Sequence, residues 1–210
     1  MTFSLNETEA MARKAARGAG YGWGASEDVG KAVRWLCVQG LDGCAALARL
    51  LPYTDSHDPA QISPRVDTDP WLADPGPLCP IYAGAAFADR AHLMSNKGQN
   101  LGPLRQPLLF APFVAQVACQ KGVTMTLSCG SSTIVTNGQR ISVADSHPQI
   151  WSSAHVSVGG HVSASAPLAK RTSPDMDAWD LLAIFAYRTY APATEESRAK
   201  GAGSGTTDND

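Results

Sequence analysis

Along the first fifty positions apolar residues recur at helical spacing. Leu5, Thr8, Ala12 and Ala15 fall on one face, behind two overlapping cap signals, Ser4-x-x-Glu7 and Asn6 with Glu9. Either start gives a helix ending at Gly18. A second helix is predicted from Ser26 as N-cap, with Glu27 and Asp28 in its first turn and Val29, Val33 and Leu36 on one stripe. It stops near Gly40. Asp42 caps a short third helix through Leu47 and Leu50, and Pro52 is expected to halt it.

Periodicity then disappears. Pro52, Pro59, Pro64, Pro70, Pro75, Pro77 and Pro80 are half of the 14 prolines, a density that no regular helix or central strand survives. Residues 52–80 therefore read as a long loop over the surface, and loops of that length are commonly functional. Residues 81–94 carry a helical pattern weakened by Gly84, and 101–109 are broken by Gly102, Pro103 and Pro107.

The β signal runs from residue 114 to 165. Asn137-Gly138 predicts a two-residue hairpin that sets Ile134 opposite Ile141. Gly159-Gly160 predicts a second hairpin joining 155–158 to 161–165. Ser173-Pro174-Asp175 reads as cap, first-turn proline and acidic start of a helix bearing Trp179, Leu182, Ala186 and Tyr190, closed by Pro192. The expectation is an α+β fold with N-terminal helices, a central, mostly antiparallel sheet with hairpins, and a C-terminal helix. Residues 1–192 read as a single domain and 193–210, Gly-rich and polar, as a tail.

Composition narrows the functional classes. In 210 residues, 44% are hydrophobic and 17% charged, enough apolar surface for a core. Seventeen basic against nineteen acidic residues leave a net charge of -2, no footprint for nucleic acid or anionic lipid. The first ten residues lack the basic and apolar regions of a signal peptide. The most apolar stretch, residues 107–119, is too short to span a bilayer. Five cysteines without CxxC spacing fit a reducing compartment, so a cytoplasmic location is expected.

Gly18, Gly20, Gly22 and Gly24 alternate with Tyr21 and Trp23 before the second helix, where phosphate often binds. A helix rather than a strand precedes them, and Glu27 and Asp28 already occupy the positive helix end, so a tight turn is the better reading. Tyr21 and Trp23 remain candidates to line a ligand site. His57, His92, His147, His155 and His161 with Asp55, Asp58 or Asp145 are the residues available for a metal. Hairpin pairing would put His155 and His161 on opposite faces, so no metal site is expected. Asp55-Ser56-His57 and Asp145-Ser146-His147 hold triad residue types, but adjacency does not build a triad. Cys129, in Ser128-Cys129-Gly130, is read as an inert thiol. The densest functional run is C-terminal. Arg188 and Arg198 are placed to hold a carboxylate, with Tyr190 or Glu195 available for proton transfer.

The runs Ala15-Ala16-Arg17-Gly18-Ala19-Gly20-Tyr21 and Gly40-Leu41-Asp42-Gly43-Cys44, with the segment from Arg188 to Gly203, resemble a bacterial family known only as a domain of unknown function. About the first fifty residues are also similar to the N-terminal segment of the type-two malate and lactate dehydrogenases, on Gly40-Leu41-Asp42-Gly43-Cys44 and Arg49. That resemblance puts Cys44 where the family carries the catalytic histidine of its Asp-Ser-His-Gly motif, and Arg49 one place late. A thiol there argues against hydride transfer by that route.

The resulting expectation is a cytoplasmic enzyme or enzyme-accessory protein acting on a small polar, carboxylate-bearing metabolite, without a bound cofactor. The alternatives are a non-catalytic subunit with a protein partner, and a metabolite sensor.

Overall fold

The computed structural model describes residues 1–93, 98–144, 148–163 and 166–190. Pro192, Glu195, Arg198, the tail, and Asp145, Ser146 and His147 lie outside the described residues. The architecture is α+β. Strand β1 (Phe3–Ser4) leads into helices α1 (Leu5–Gly18), α2 (Trp23–Val38) and α3 (Gly43–Asp55), then the single turn α4 (Pro59–Ile62) and α5 (Pro80–Asp89). Strands β2 (Gln99–Leu101) and β3 (Leu104–Arg105) precede α6 (Ala111–Lys121). Strands β4 (Met125–Cys129), β5 (Ser132–Thr136), β6 (Ile141–Val143), β7 (Ile150–Trp151), β8 (Ala154–Val158) and β9 (Arg171–Thr172) lead to the closing helix α7 (Met176–Tyr187).

The main sheet has the order β2-β8-β4-β5-β6, every neighbouring pair antiparallel. Its inner face, Met125, Leu127, Ile134 and Val156, is buried under α6. A second apolar cluster sits among α1, α2, α3 and α7, and Trp35, Leu41 and Leu108 pack against both clusters.

Local signals set most helix boundaries. Ser4 and Glu7 form the capping box of α1, which ends at Gly18 as expected. Asp42 accepts from the Ala45 N–H at the start of α3. Gly84 sits inside α5 because α6 needs the room: a Cβ there would lie 2.2 Å from the Phe113 ring.

Several boundaries differ from the sequence reading. Helix α2 begins at Trp23 with Gly22 as N-cap, and Ser26 is interior, its hydroxyl donating to the Gly22 carbonyl at 2.8 Å. Pro52 does not stop α3. It lies on the exposed face, while Leu50, Leu51, Tyr53 and Thr54 are buried on the other, so packing outweighs one lost helical hydrogen bond. The proline-rich loop is no surface strap either. Ile62, Trp71, Leu78 and Cys79 are buried, and the Cys79 N–H donates to the Ile62 carbonyl at 2.9 Å.

Residues 114–121, at the start of the β signal, belong to α6, entered through Pro112 and closed by Gly122 at φ 64. At Asn137-Gly138 the register is Thr136 opposite Ile141 and Ile134 opposite Val143, with a four-residue loop. Among the described residues only Gln106 has positive φ outside glycine, so Asn137 does not adopt the type I′ geometry. Its carboxamide instead accepts from the N–H groups of Gln139 and Arg140. The shift is two residues, so Ile134 and Ile141 still face the core. Gly159-Gly160 makes no hairpin with 161–163. Val158 pairs with Met125, and the chain crosses to β6, where the Ser163 N–H donates to Ser142 Oγ. Finally, Asp175 rather than Ser173 caps α7.

Candidate functional site

Helix α1 buries Thr8, Ala12, Ala15 and Ala16 and turns Arg13, Lys14 and Arg17 outward. Like charges at that spacing repel by a few tenths of a kcal/mol per pair. Each finds a partner on a different element. Arg13 pairs with Glu27 of α2 at 3.1 Å. Arg17 donates to the Tyr21 carbonyl at 2.5 Å and lays its guanidinium 4.3 Å from the Trp23 ring centroid. The Lys14 ammonium donates to the Tyr190 hydroxyl at 3.3 Å and lies 5.3 Å from that ring's centroid.

The other wall is the end of α7, which reaches α1 because Gly18 has no side chain. A Cβ on Gly18 would sit 1.8 Å from the Phe185 carbonyl oxygen. Arg188 then donates to Asp55 at 2.6 Å and to the Gly18 carbonyl at 3.4 Å, with its guanidinium over Phe185 at 4.4 Å. Between these walls runs a groove of about 680 Å³ lined by Arg13, Lys14, Arg17, Trp23, Glu27, Arg188, Thr189 and Tyr190. Small-molecule sites typically span roughly 300–1,000 Å³. Four cations against one carboxylate line it, and two aromatic rings offer flat faces.

The structure brings together Trp23, Arg188 and Tyr190 from the sequence-predicted residues and excludes Tyr21. Tyr21 is fully buried, its hydroxyl 3.0 Å from Thr54 Oγ1 and 3.1 Å from Cys79 Sγ, so it is a core residue and not a ligand contact. Burial, with the neighbouring Cys79, pushes that phenol well above its ordinary range. Glu195 and Arg198, the other half of the expected carboxylate clamp, lie outside the described residues. Sequence reading missed Arg13, Lys14, Arg17 and Glu27. The three cations had a signal in the polar face of α1, at i, i+1 and i+4 opposite the apolar stripe, whereas Glu27 belongs to α2.

A second cleft of about 540 Å³ holds Asn100, Ser128, Cys129 and His155. Asn100 Nδ2 reaches the Asp69 carboxylate at 3.4 Å, and its Oδ1 meets His155 Nδ1 at 2.8 Å. A carboxylate only accepts, so the amide oxygen faces the imidazole and Nδ1 carries the proton. The ring leans toward β2, for a Cβ on Gly98 would lie 3.1 Å from its Nε2. Ser128, the register partner of His155 on β4, shares its face, but its hydroxyl donates to the His155 carbonyl at 3.4 Å and not to the ring, and Cys129 alternates toward the inner face. Nucleophile and base do not meet there. Among the described residues no cluster of three or more His, Cys, Asp or Glu is arranged to hold a metal ion, and no helix is long and apolar enough to cross a membrane.

The elements from α1 to the Trp71 loop carry the basic wall of the groove. Residues 3–73 match the family model described as Protein of unknown function (DUF3726). The DUF3726 match takes in Arg13, Lys14, Arg17, Trp23 and Glu27 and leaves out α7 with Arg188 and Tyr190. No curated protein and no solved structure matches the chain. The dehydrogenase likeness thus has no further support, and Cys44, its key position, is fully buried beside Cys37.

Proposed function

We propose that the groove binds a small, flat metabolite carrying at least one carboxylate, and that the protein serves as an enzyme-accessory or sensing component. The observation that carries this reading is the convergence of Lys14, Arg17 and Arg188 with the faces of Trp23 and Tyr190. Guanidinium and ammonium groups supply charge-assisted hydrogen bonds to a carboxylate, and the rings supply stacking area. The described lining residues include cations, a paired glutamate and a threonine whose hydroxyl donates to the Ala186 carbonyl at 2.7 Å. That set supports binding and charge neutralisation more than covalent chemistry.

The test is a thermal-shift and calorimetric comparison of 4-hydroxybenzoate, succinate and their uncharged amides. A ligand at about 100 times its dissociation constant adds roughly 2.7 kcal/mol to stability. Carboxylates are expected to raise the melting temperature and amides to leave it unchanged. Lys14→Ala and Trp23→Ala, both at the groove rim, are expected to weaken binding about tenfold each. A carboxylate shift that persists in both variants, or no shift with any carboxylate, refutes the reading.

A further inference from the structure

Helix α7 is apolar nearly all round, which is the pattern of a helix buried on both sides. One side is accounted for: Ala178, Leu182, Phe185 and Ala186 pack against α1 and α3. The other side exposes Ile184 at 61% and Tyr187 at 75%, with Leu181, half-buried, on the flank of Ile184 away from Tyr187. This exposed stripe has a charge order. Asp177 and Asp180, both exposed, stand at its beginning and Arg188 at its end.

At about 100° per residue, Asp177, Leu181 and Arg188 fall on one side of Ile184, and Asp180 and Tyr187 on the other. A two-fold axis near Ile184, perpendicular to the helix, keeps each side on its own side and reverses the chain direction. It would carry Arg188 of one copy onto Asp177 of the next, and the Tyr187 hydroxyl onto Asp180, with Ile184 meeting itself. The helix dipoles would run antiparallel. Only part of the Arg188 guanidinium is engaged, since its bonds to Asp55 and Gly18 both leave from Nη1, and its five donors can serve more than one acceptor.

We infer that this face of α7 is the contact of an antiparallel, two-fold homodimer. An isologous interface must be complementary to itself, and an acid–apolar–base stripe on one helix has that property, whereas a foreign partner would impose no such symmetry. The stripe is one short helix face, well below the roughly 800 Å² per partner of a stable interface, so the dimer is weak and concentration-dependent. Arg188 ends this stripe and also lines the groove, so the test substitutes Asp177 and Ile184, neither of which lines it, and leaves the ligand reading untouched.

Sedimentation velocity on the full chain from about 5 to 500 μM covers the range in which a weak dimer forms. The mass is expected to rise from monomer toward dimer across that series. Ile184→Asp and Asp177→Arg should each raise the dissociation constant by at least about tenfold. Asp177→Glu, which keeps the charge, should leave it nearly unchanged. Both sites are exposed on the outer face, so circular dichroism and melting of dilute samples of the three variants should match the parent. A monomer at every concentration overturns the inference and assigns the face to a different partner. A dimer indifferent to both Ile184→Asp and Asp177→Arg overturns it too, placing the contact elsewhere.

Discussion

Gly18→Ala should destabilise the protein although alanine is the better helix former. In an unobstructed helix the change would gain about 0.5–1 kcal/mol. Here the new methyl would stand 1.8 Å from the Phe185 carbonyl oxygen and 2.7 Å from its carbon, both backbone atoms of α7. Real Cβ contacts start near 3.0 Å, so α7 must retreat by about 1.2 Å in an interior that is close-packed and yields little. That retreat loosens Leu182, Phe185 and Ala186 against α1 and stretches the Arg188 bond to the Gly18 carbonyl. Overpacking of this kind costs about 1–3 kcal/mol. Taking the middle of each range, the expected net loss after the propensity gain is roughly 1 kcal/mol. Gly24, the second residue of α2, is the control, for nothing lies within 4 Å of its built Cβ. Gly24→Ala should stabilise by a few tenths up to about 1 kcal/mol. Urea unfolding of the three proteins, with unchanged slopes, reads both effects as midpoint shifts of opposite sign. A Gly18→Ala protein as stable as the parent would refute the close approach of α1 and α7, and with it the geometry of the groove.

Burial raises the Asp28 carboxyl above its ordinary value, with Asp89 and Glu27 adding to the shift and Lys31 opposing it. A raised folded-state value means that the charged form is disfavoured by folding. Asp28→Asn should therefore stabilise the protein at neutral pH, and the advantage should fade as pH falls toward the unfolded value of about 3.9, where both states protonate. Melting at pH 7 and pH 3.5 checks the sign. Cys37, Cys44 and Cys79 are buried, whereas Cys119 is exposed and Cys129 partly so. A maleimide added to the native protein should label Cys119 first and Cys129 more slowly, with the other three reacting only in denaturant. Rapid native labelling of Cys44, read by peptide mass spectrometry, would contradict its placement in the core.

Much of the secondary structure was legible from short-range spacing. The capping box at Ser4, the Asp42 cap and the stripe of Val29, Val33 and Leu36 depend on residues three or four positions apart, and each stands where that spacing puts it. Errors arose where packing overrode a local preference. Pro52 was outweighed by buried neighbours, Asn137-Gly138 kept its faces while taking a longer loop, and residues 114–121, counted into the β signal, folded as helix between Pro112 and Gly122.

The candidate site divides in the same way. The sequence alone marks Arg188 and Tyr190 as chemistry-bearing and α1 as a helix with a basic outer face. Only the tertiary structure puts Lys14 against Tyr190, 176 positions away, and sends Tyr21 into the core while its neighbour Trp23 stays outside. The physical reason is that helix capping and periodicity are local, decided within a turn or two. Which two helix ends meet depends instead on where apolar stripes find each other and on one glycine, Gly18, that lets backbones touch.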